Sequence, residues 1–523
     1  MLIKTYCAAI VGLEAITVTI EVSLSRGMLF HLTGLADTAV RESHDRIAAA
    51  IQNNGYKFPA ADITVNMAPA DIKKEGSGYD LPLAIAILAA NGNMSADKLS
   101  EYMLIGEIGL DGRLQPVKGA LSIALRARRE NYKGVIVPRQ NAREAAVVNG
   151  IDVYGMESMA EVINFLNGMS DARPTEVDID AEFYKEQSTF DVDYAEVRGQ
   201  ESAKRALEVA AAGGHNLIMI GPPGSGKSML AKRLPTILPP LTLAESLETT
   251  QIHSIAGKLS GGSSLITRRP FRSPHHTISP AALVGGGVNP QPGEISLAHN
   301  GVLFCDELPE FNRSVLEVMR QPLEDRRITV SRAKYSIEYP CSFMLVASMN
   351  PCPCGYYGDP AHKCLCTPLQ RRRYINKISG PLLDRIDIQV TIPAVPFKDI
   401  SEGSLGEPSS KIRERVMAAR EIQERRFSGM RGVYCNAQMS ERMIRRYAEP
   451  DTEGREMLKA AMEHRGLSAR AYSRILKVSR TIADLEGSEA VLSQHIGEAV
   501  GYRELDREDW AERKGGFFFA SES

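Results

Sequence analysis

The chain has 523 residues, enough for three or four domains of ~100 to 200 residues each. Its 43% apolar and 24% charged content suits a globular protein, and no apolar run reaches the roughly 18 residues of a membrane span, so a cytoplasmic protein without a membrane partner is expected. A formal net charge of −2 excludes a uniformly basic nucleic-acid binder and leaves room only for a local basic surface, such as the lining of a ring.

The N-terminal stretch MLIKTYCAAIVGLEAITVTIEV alternates like a β-strand and carries Glu14 early, unlike a signal sequence. Residues 1–167 read as an α/β unit. Residues 168–195 read as an acidic linker, with Asp171, Glu176, Asp178, Asp180, Glu182, Glu186, Asp191 and Asp193 against Arg173 and Lys185.

Residues 196–395 read as a nucleotide core. An apolar run, Leu217 to Ile220, leads into Gly221, Pro222, Pro223, Gly224, Ser225, Gly226, Lys227 and Ser228, and a helix-compatible run follows from Met229. Strand, glycine loop and helix in this order form a phosphate cradle. Glycines let backbone N–H groups turn inward around an anion, and the helix N-terminus adds partial positive charge. Lys227 is placed on the β- and γ-phosphates of ATP and Ser228 on Mg2+.

A second apolar strand, within NGVLFCDELPE, ends in two acids, which assigns Asp306 to the Mg2+ shell and Glu307 to the base that activates water. The competing reading is a helix cap. A third strand, FMLVAS, runs into Asn350, whose amide suits orienting the attacking water, although before Pro351 it also suits an ordinary turn.

Cys352, Cys354, Cys364 and Cys366 follow at once, bringing four thiolates together around a turn. They suit structural Zn2+, with His362 as a substitute ligand, and the other reading is a loop of reduced thiols. In GPLLDRIDI, spacing alone leaves open whether Arg385 is a cation supplied to a neighbouring subunit or a surface ion pair with Asp384 or Asp387. Residues 396–410 are rich in Gly, Pro and Ser and read as a linker; residues 411–510 are helical in period, and 511–523 form a tail.

The order of these motifs resembles the AAA+ superfamily, and RPFRSPHHTISPAALVGGGVNPQPGEISLAHNGVLFCDELPEF is similar to the magnesium-chelatase ATPase subunit. With the PCPCG and LSARAYSRILKVSRTIADL segments, the chain resembles the bacterial magnesium-chelatase-like ComM (YifB) family over nearly its full length. That resemblance implies a homo-hexameric ATPase with an AAA+ core and a helical lid. It makes Arg385 the trans finger and Arg470 the lid sensor, with Arg474 one helical turn later. Residues 328–340 become a hairpin whose Arg332 and Lys334 are candidates to touch DNA phosphates.

Residues 1–165 resemble the Lon protease domain, a ribosomal S5 domain 2-like α/β fold, through KKEGSGYDLPLAIAIL and GEIGLDGRLQPVKGALSIALRAR. Lon cleaves with a serine activated by a lysine. Here Gly78 stands at the serine position and Leu121 at the lysine position; Ser77 and Lys118 lie nearby. The expected role is therefore a platform, as for the similar domain of RadA-type recombination proteins, with Lys73, Lys74 and Arg113 available to nucleic acid. The resemblance implies an ATP-driven branch-migration motor acting on single-stranded or branched DNA. A magnesium-chelatase ATPase subunit and a Lon-type protease are the alternatives.

Overall fold

The first 25 residues set up a sheet because their apolar side chains alternate. The computed structural model describes residues 2–179, 183–184, 187, 189–259, 264–286, 290–332, 335–359, 361–394, 405–430, 432–465, 467–503 and 505. They fall into two units, Met1–Glu186 with Thr242–Thr267, and Gln187–Leu241 with Arg268–Ser523.

In the first unit, β1 (Leu2–Val11) and β2 (Glu14–Ser25) pair antiparallel through the turn at Gly12, where φ is +64°. With β3 (Phe30–Thr33), β4 (Asp62–Ala68), β5 (Tyr102–Leu104), β8 (Gly134–Pro138) and β9 (Asp152–Met156) they form a mixed sheet in the order β3-β4-β2-β1-β5-β8-β9. A small hairpin of β6 (Glu107–Ile108) and β7 (Leu114–Gln115) lies beside it in sequence. Alternation puts Cys7, Val18 and Ile20 in one apolar cluster and Ala8 and Ala15 in another, so both faces of the sheet are covered. Helix Asp80–Ala90 is buried nearly throughout, which explains its unbroken apolar run.

Residues 242–267 belong to this unit, although the sequence places them in the nucleotide core. The physical reason lies in helix Leu243–Ile255. Gln251 Nε2 donates to Leu13 O at 2.6 Å and to Ser122 Oγ at 3.0 Å, and Ser254 donates to the buried Glu144 carboxylate. The helix thus adds hydrogen bonds to polar groups that already pair within the N-terminal domain, Ser122 with Leu13 and Glu144 with Leu121 and Asn141.

The second unit is built on a five-stranded parallel sheet, β11-β14-β17-β10-β18: β10 (Leu217–Ile220), β11 (Phe271–Arg272), β14 (Val302–Cys305), β17 (Met344–Met349) and β18 (Ile388–Thr391). Two hairpins accompany it, β12 (Gly285–Gly286) with β13 (Gln291–Pro292) and β15 (Arg327–Arg332) with β16 (Tyr335–Pro340). This is a mixed α/β, magnesium-chelatase-like AAA+ fold. The sheet strands are short and buried because both faces are covered.

Helices Ser409–Arg426, Glu441–Tyr447, Thr452–Arg465, Ala469–Leu485 and Ser493–Gly501 form the C-terminal part. They share one apolar cluster with the sheet, because helix Glu201–Gly213 packs against β18 on one side and against helices Ser409–Arg426 and Ala469–Leu485 on the other.

The two stretches read as linkers are tied down where they are described. Thr175 N–H donates to Val153 O at 2.7 Å, and the buried Tyr194 hydroxyl to Leu230 O at 2.9 Å. Gly406 N–H donates to Ala195 O at 2.9 Å. Residues 395–404 and the tail 511–523 lie outside the described residues.

Asp484, fully buried, accepts from Arg426 Nη1 at 2.7 Å, Asn436 Nδ2 at 2.7 Å and Arg480 Nε at 3.1 Å. Asp484→Ala leaves two largely buried guanidinium groups without their counter-charge. Denaturant unfolding of the full chain is expected to show a loss of about 3–5 kcal/mol.

Candidate active site

The phosphate loop leaves β10, an interior strand between β17 and the edge strand β18. Gly221 has no room for a side chain, since a Cβ there would run into the Ile392 carbonyl. Gly224 and Gly226 have φ of +78° and +90° with open space around them, so their role is conformational and the cradle stays clear. Helix Lys227–Arg233 then begins, its N-terminus facing the loop. Gln200, itself left-handed at φ +60°, donates from Nε2 to Ser225 O at 3.3 Å and Pro393 O at 2.8 Å, bracing the loop from behind.

Lys227 is buried. Its Nζ donates to Gly221 O at 2.7 Å, Pro222 O at 2.8 Å and Asn350 Oδ1 at 3.3 Å. Burial pushes its pKa down to about 8, against the opposing pull of Asp306 and Glu307. A desolvated cation whose own hydrogen bonds go only to neutral oxygens is poised to meet an anion.

The parallel register supplies the rest. Cys305 of β14 stands opposite Ala347 of β17, so the residues just beyond, Asp306 and Ser348, meet at the carboxyl edge of the sheet. Ser228 Oγ donates to Asp306 Oδ2 at 2.8 Å, and Ser348 Oγ donates to Asp306 Oδ1. Ser348 Oγ also accepts the Glu307 N–H at 3.1 Å, holding Glu307 in a left-handed conformation (φ +53°) with its carboxyl exposed. Lys227, Ser228, Asp306, Ser348 and Asn350 thus form one bonded group, joined by Glu307 through its backbone. A hydroxyl and a carboxylate side by side beside a cation and a glycine cradle fit a nucleoside triphosphate with Mg2+. Sequence reasoning missed Ser348 and Gln200. Ser348 carries a signal only as the last polar residue before a strand ends; Gln200 carries none.

Among the described residues, neither Arg385 nor Arg470 hydrogen-bonds to this group. Arg385 is 8% exposed, pairs with Glu324 and donates to Pro381 O at 2.5 Å. Arg470 is exposed and pairs with Asp384 at 3.0 Å; Arg474 pairs with the buried Asp387 at 2.7 Å. His215 Nε2 lies 2.8 Å from Thr481 Oγ1 and Nδ1 3.4 Å from Asp387. Burial works to raise the Asp387 pKa, yet Arg474 and His215 hold it well below the usual carboxylate range. Arg470 and Arg474 of helix Ala469–Leu485 thus pair with the segment that carries Arg385.

The four cysteines after Asn350 converge. Cys352 Sγ lies 3.3 Å from Cys354 Sγ and 3.7 Å from Cys364 Sγ, Cys354 lies 3.6 Å from Cys364, and with Cys366 all four fall within 4.8 Å of one another. His362, the alternative ligand, instead bonds Asp359 at 2.9 Å and stacks on Tyr356. Arg332 ends β15 opposite Tyr335; Lys334 lies outside the described residues.

The Lon-like segments hold no serine–lysine pair. A side chain at Gly78 would meet Ile105 and Val117, and Leu121 is fully buried in the apolar cluster. Ser77 gives its hydroxyl to Glu107, while the stem of Lys118 lies over Gly257. Lys74, expected to face nucleic acid, is buried, donates to Pro69 O and is lowered in pKa by that burial. Lys73 pairs with Glu75 at 2.5 Å, and Arg113, exposed, with Asp111 at 3.5 Å.

Compared with known proteins, residues 193–400 match the family described as magnesium chelatase, subunit ChlI. Residues 20–141 match subunit ChlI of Mg-chelatase, and residues 406–503 match its C-terminal part. The chain is 45% identical over 504 residues to the uncharacterized protein YifB of Escherichia coli, covering 95% of this chain and 96% of that protein. It is 43% identical over 509 residues to competence protein ComM of Haemophilus influenzae, covering 96% and 97%. A stretch of 159 residues is 30% identical to Lon protease 2 of Bacillus subtilis, 28% of this chain and 27% of that protein.

Three substitutions separate the roles. Lys227→Ala should abolish nucleotide binding in a fluorescent-nucleotide titration, by removing the phosphate cation. Glu307→Gln should bind nucleotide normally but hydrolyse it about 10²–10⁴-fold more slowly, as loss of a general base does. Ser348→Ala should lower kcat by roughly 10–100-fold, since it frees both Asp306 and the Glu307 backbone; a wild-type rate would remove Ser348 from the site.

Proposed function

The chain belongs to the YifB and ComM family of magnesium-chelatase-like AAA+ ATPases, and on that premise we propose that it is a hexameric motor that uses ATP to drive branch migration of DNA. The observation that carries the reading is the one-sidedness of the nucleotide site. Among the described residues, Lys227, Ser228, Asp306, Ser348 and Asn350 come together with the backbone of Glu307, while Arg385 and Arg470 bond elsewhere, to Glu324 and Pro381 and to Asp384.

Gly221–Ser228 hold the phosphates, Lys227 neutralises the β- and γ-oxygens, and Ser228 with Asp306 holds Mg2+. Mg2+ held there would supply charge neutralisation to the transferring phosphoryl group. Glu307 takes the proton of the attacking water, and Asn350 orients that water. Arg385 is the trans cation: on its own subunit Glu324 and Pro381 hold it, and ring assembly exchanges Glu324 for the neighbour's phosphate. Arg470 and Arg474, paired to Asp384 and Asp387, move with that segment, so the helical part follows the state of the adjacent site.

The DNA cargo is supported by the full-length likeness to a protein named for competence; Arg332, at the end of β15, is the proposed phosphate contact. A magnesium-chelatase ATPase subunit is the second reading, favoured by the family matches in both units. Activity with a tetrapyrrole and purified partner subunits would decide for it. Proteolysis is disfavoured by the apolar packing at Gly78 and Leu121.

A four-way junction should raise the ATPase rate above that seen with linear duplex, and junction binding should weaken steeply with salt as counterions are released. A rate indifferent to single-stranded, duplex and branched DNA would remove the motor reading. Arg385→Ala should leave nucleotide binding intact while lowering kcat by about 10³-fold or more, as loss of a trans arginine does.

A further inference from the structure

The four cysteines sit in two short segments, CPC in the turn at Cys352–Cys354 and CLC in the extended stretch Cys364–Cys366. A tetrahedral ion with metal–sulfur bonds of about 2.3 Å spaces its sulfurs about 3.8 Å apart. The 3.3, 3.6 and 3.7 Å separations here match such a set, and none of the four is in a disulfide. Four thiolates this close repel one another unless a cation lies among them. Four soft ligands with no fifth group, His362 being committed to Asp359, select a closed thiophilic site and leave no position for catalysis.

The surroundings are ordered for their own reasons. Asp359 accepts the Ala361 N–H at 2.8 Å as well as the His362 ring, and the Arg371 guanidinium lies 4.0 Å above the buried Tyr357 ring. More telling is where this knuckle touches the phosphate loop. Two residues before Cys352, Asn350 Oδ1 lies 3.3 Å from Lys227 Nζ. One residue after Cys354, Gly355 (φ +87°) packs so closely on Pro223 that an added Cβ would stand 2.8 Å from the proline Cδ. Cys352 and Cys354 are thus bracketed by the two points at which the knuckle bears on the loop.

We infer that Cys352, Cys354, Cys364 and Cys366 hold a zinc ion that pins Asn350 and Gly355 against the phosphate loop, so that zinc occupancy sets how tightly nucleotide is held. Fixing two sulfurs fixes the short segments on either side of them, and with these the amide that faces Lys227 and the surface that backs Pro223. The inference rests on reading Gly221–Ser228 as the nucleotide site, but the metal centre is measured independently of it.

The test uses the full chain. Elemental analysis should find one zinc per chain and no iron. An organomercurial should release that zinc to a chromogenic chelator, and titration with a fluorescent ATP analogue should then show affinity weaker by about tenfold, within the usual range for coupled sites. Cys364→Ser and Cys366→Ser, in the segment remote in sequence from Asn350 and Gly355, should lose zinc and weaken the analogue to the same degree while keeping the wild-type circular dichroism spectrum. If either variant fails to fold, mercurial release from the native chain reads the same coupling. Iron in place of zinc, or no metal in freshly purified protein, overturns the centre. Unchanged analogue affinity after zinc release overturns the coupling. Full zinc with no nucleotide binding in either state overturns the nucleotide-site reading, and the coupling with it, while supporting the centre.

Discussion

The hydroxyl of Ser348 is where the chemistry of the second unit is held together. It donates to Asp306 and accepts from the Glu307 backbone, and Asp306 in turn accepts from Ser228. One atom from β17 therefore fixes the Asp306 carboxylate, holds the backbone of Glu307, and links both to the helix that follows the glycine loop. Parallel strands make this possible, because their carboxyl ends open on the same edge of the sheet. Were β14 and β17 to slip by one residue, Asp306 and Ser348 would point to opposite faces and the group would come apart.

A second polar network lies at the other ends of the strands, where β10 and β18 begin. Asn216 and Asp387 precede the strands Leu217–Ile220 and Ile388–Thr391, and Asp387 accepts from Arg474 and the Asn216 N–H, with His215 beside it. Further along the same helix, Asp484 gathers Arg426, Asn436 and Arg480. Buried charges of this kind add little net stability over apolar packing, but each is costly to break singly. Arg470 and Arg474 fix helix Ala469–Leu485 to the segment Asp384–Asp387 at defined points.

The first unit keeps the architecture of a Lon-like domain with the chemical groups replaced. Where an activated serine and its lysine are expected, Gly78 faces Ile105 and Val117, and Leu121 is core. The segment 242–267 instead brings Gln251 and Ser254 to Leu13, Ser122 and Glu144. The chain passes between the two units at 186–187, 241–242 and 267–268.

Contiguous chemistry was legible in the amino-acid sequence alone. The phosphate loop, the acid pair at Asp306 and Glu307, the AAA+ order of elements and the missing Lon dyad are local words, because a glycine cradle or a strand-ending acid needs neighbours only a few residues away. Tertiary structure decided what depends on distant partners. Ser348 acquires its role from the register of β14 with β17. Arg385 is held by Glu324, Arg470 by Asp384 across 86 residues, and residues 242–267 leave the unit in which the sequence places them. The cysteines show both halves of the lesson: their spacing announces a ligand set, but only the folded chain brings the two CxC segments to tetrahedral distance and sets Gly355 against Pro223. Side-chain pairing across long loops follows from packing free energy summed over the whole core, and no local pattern encodes it.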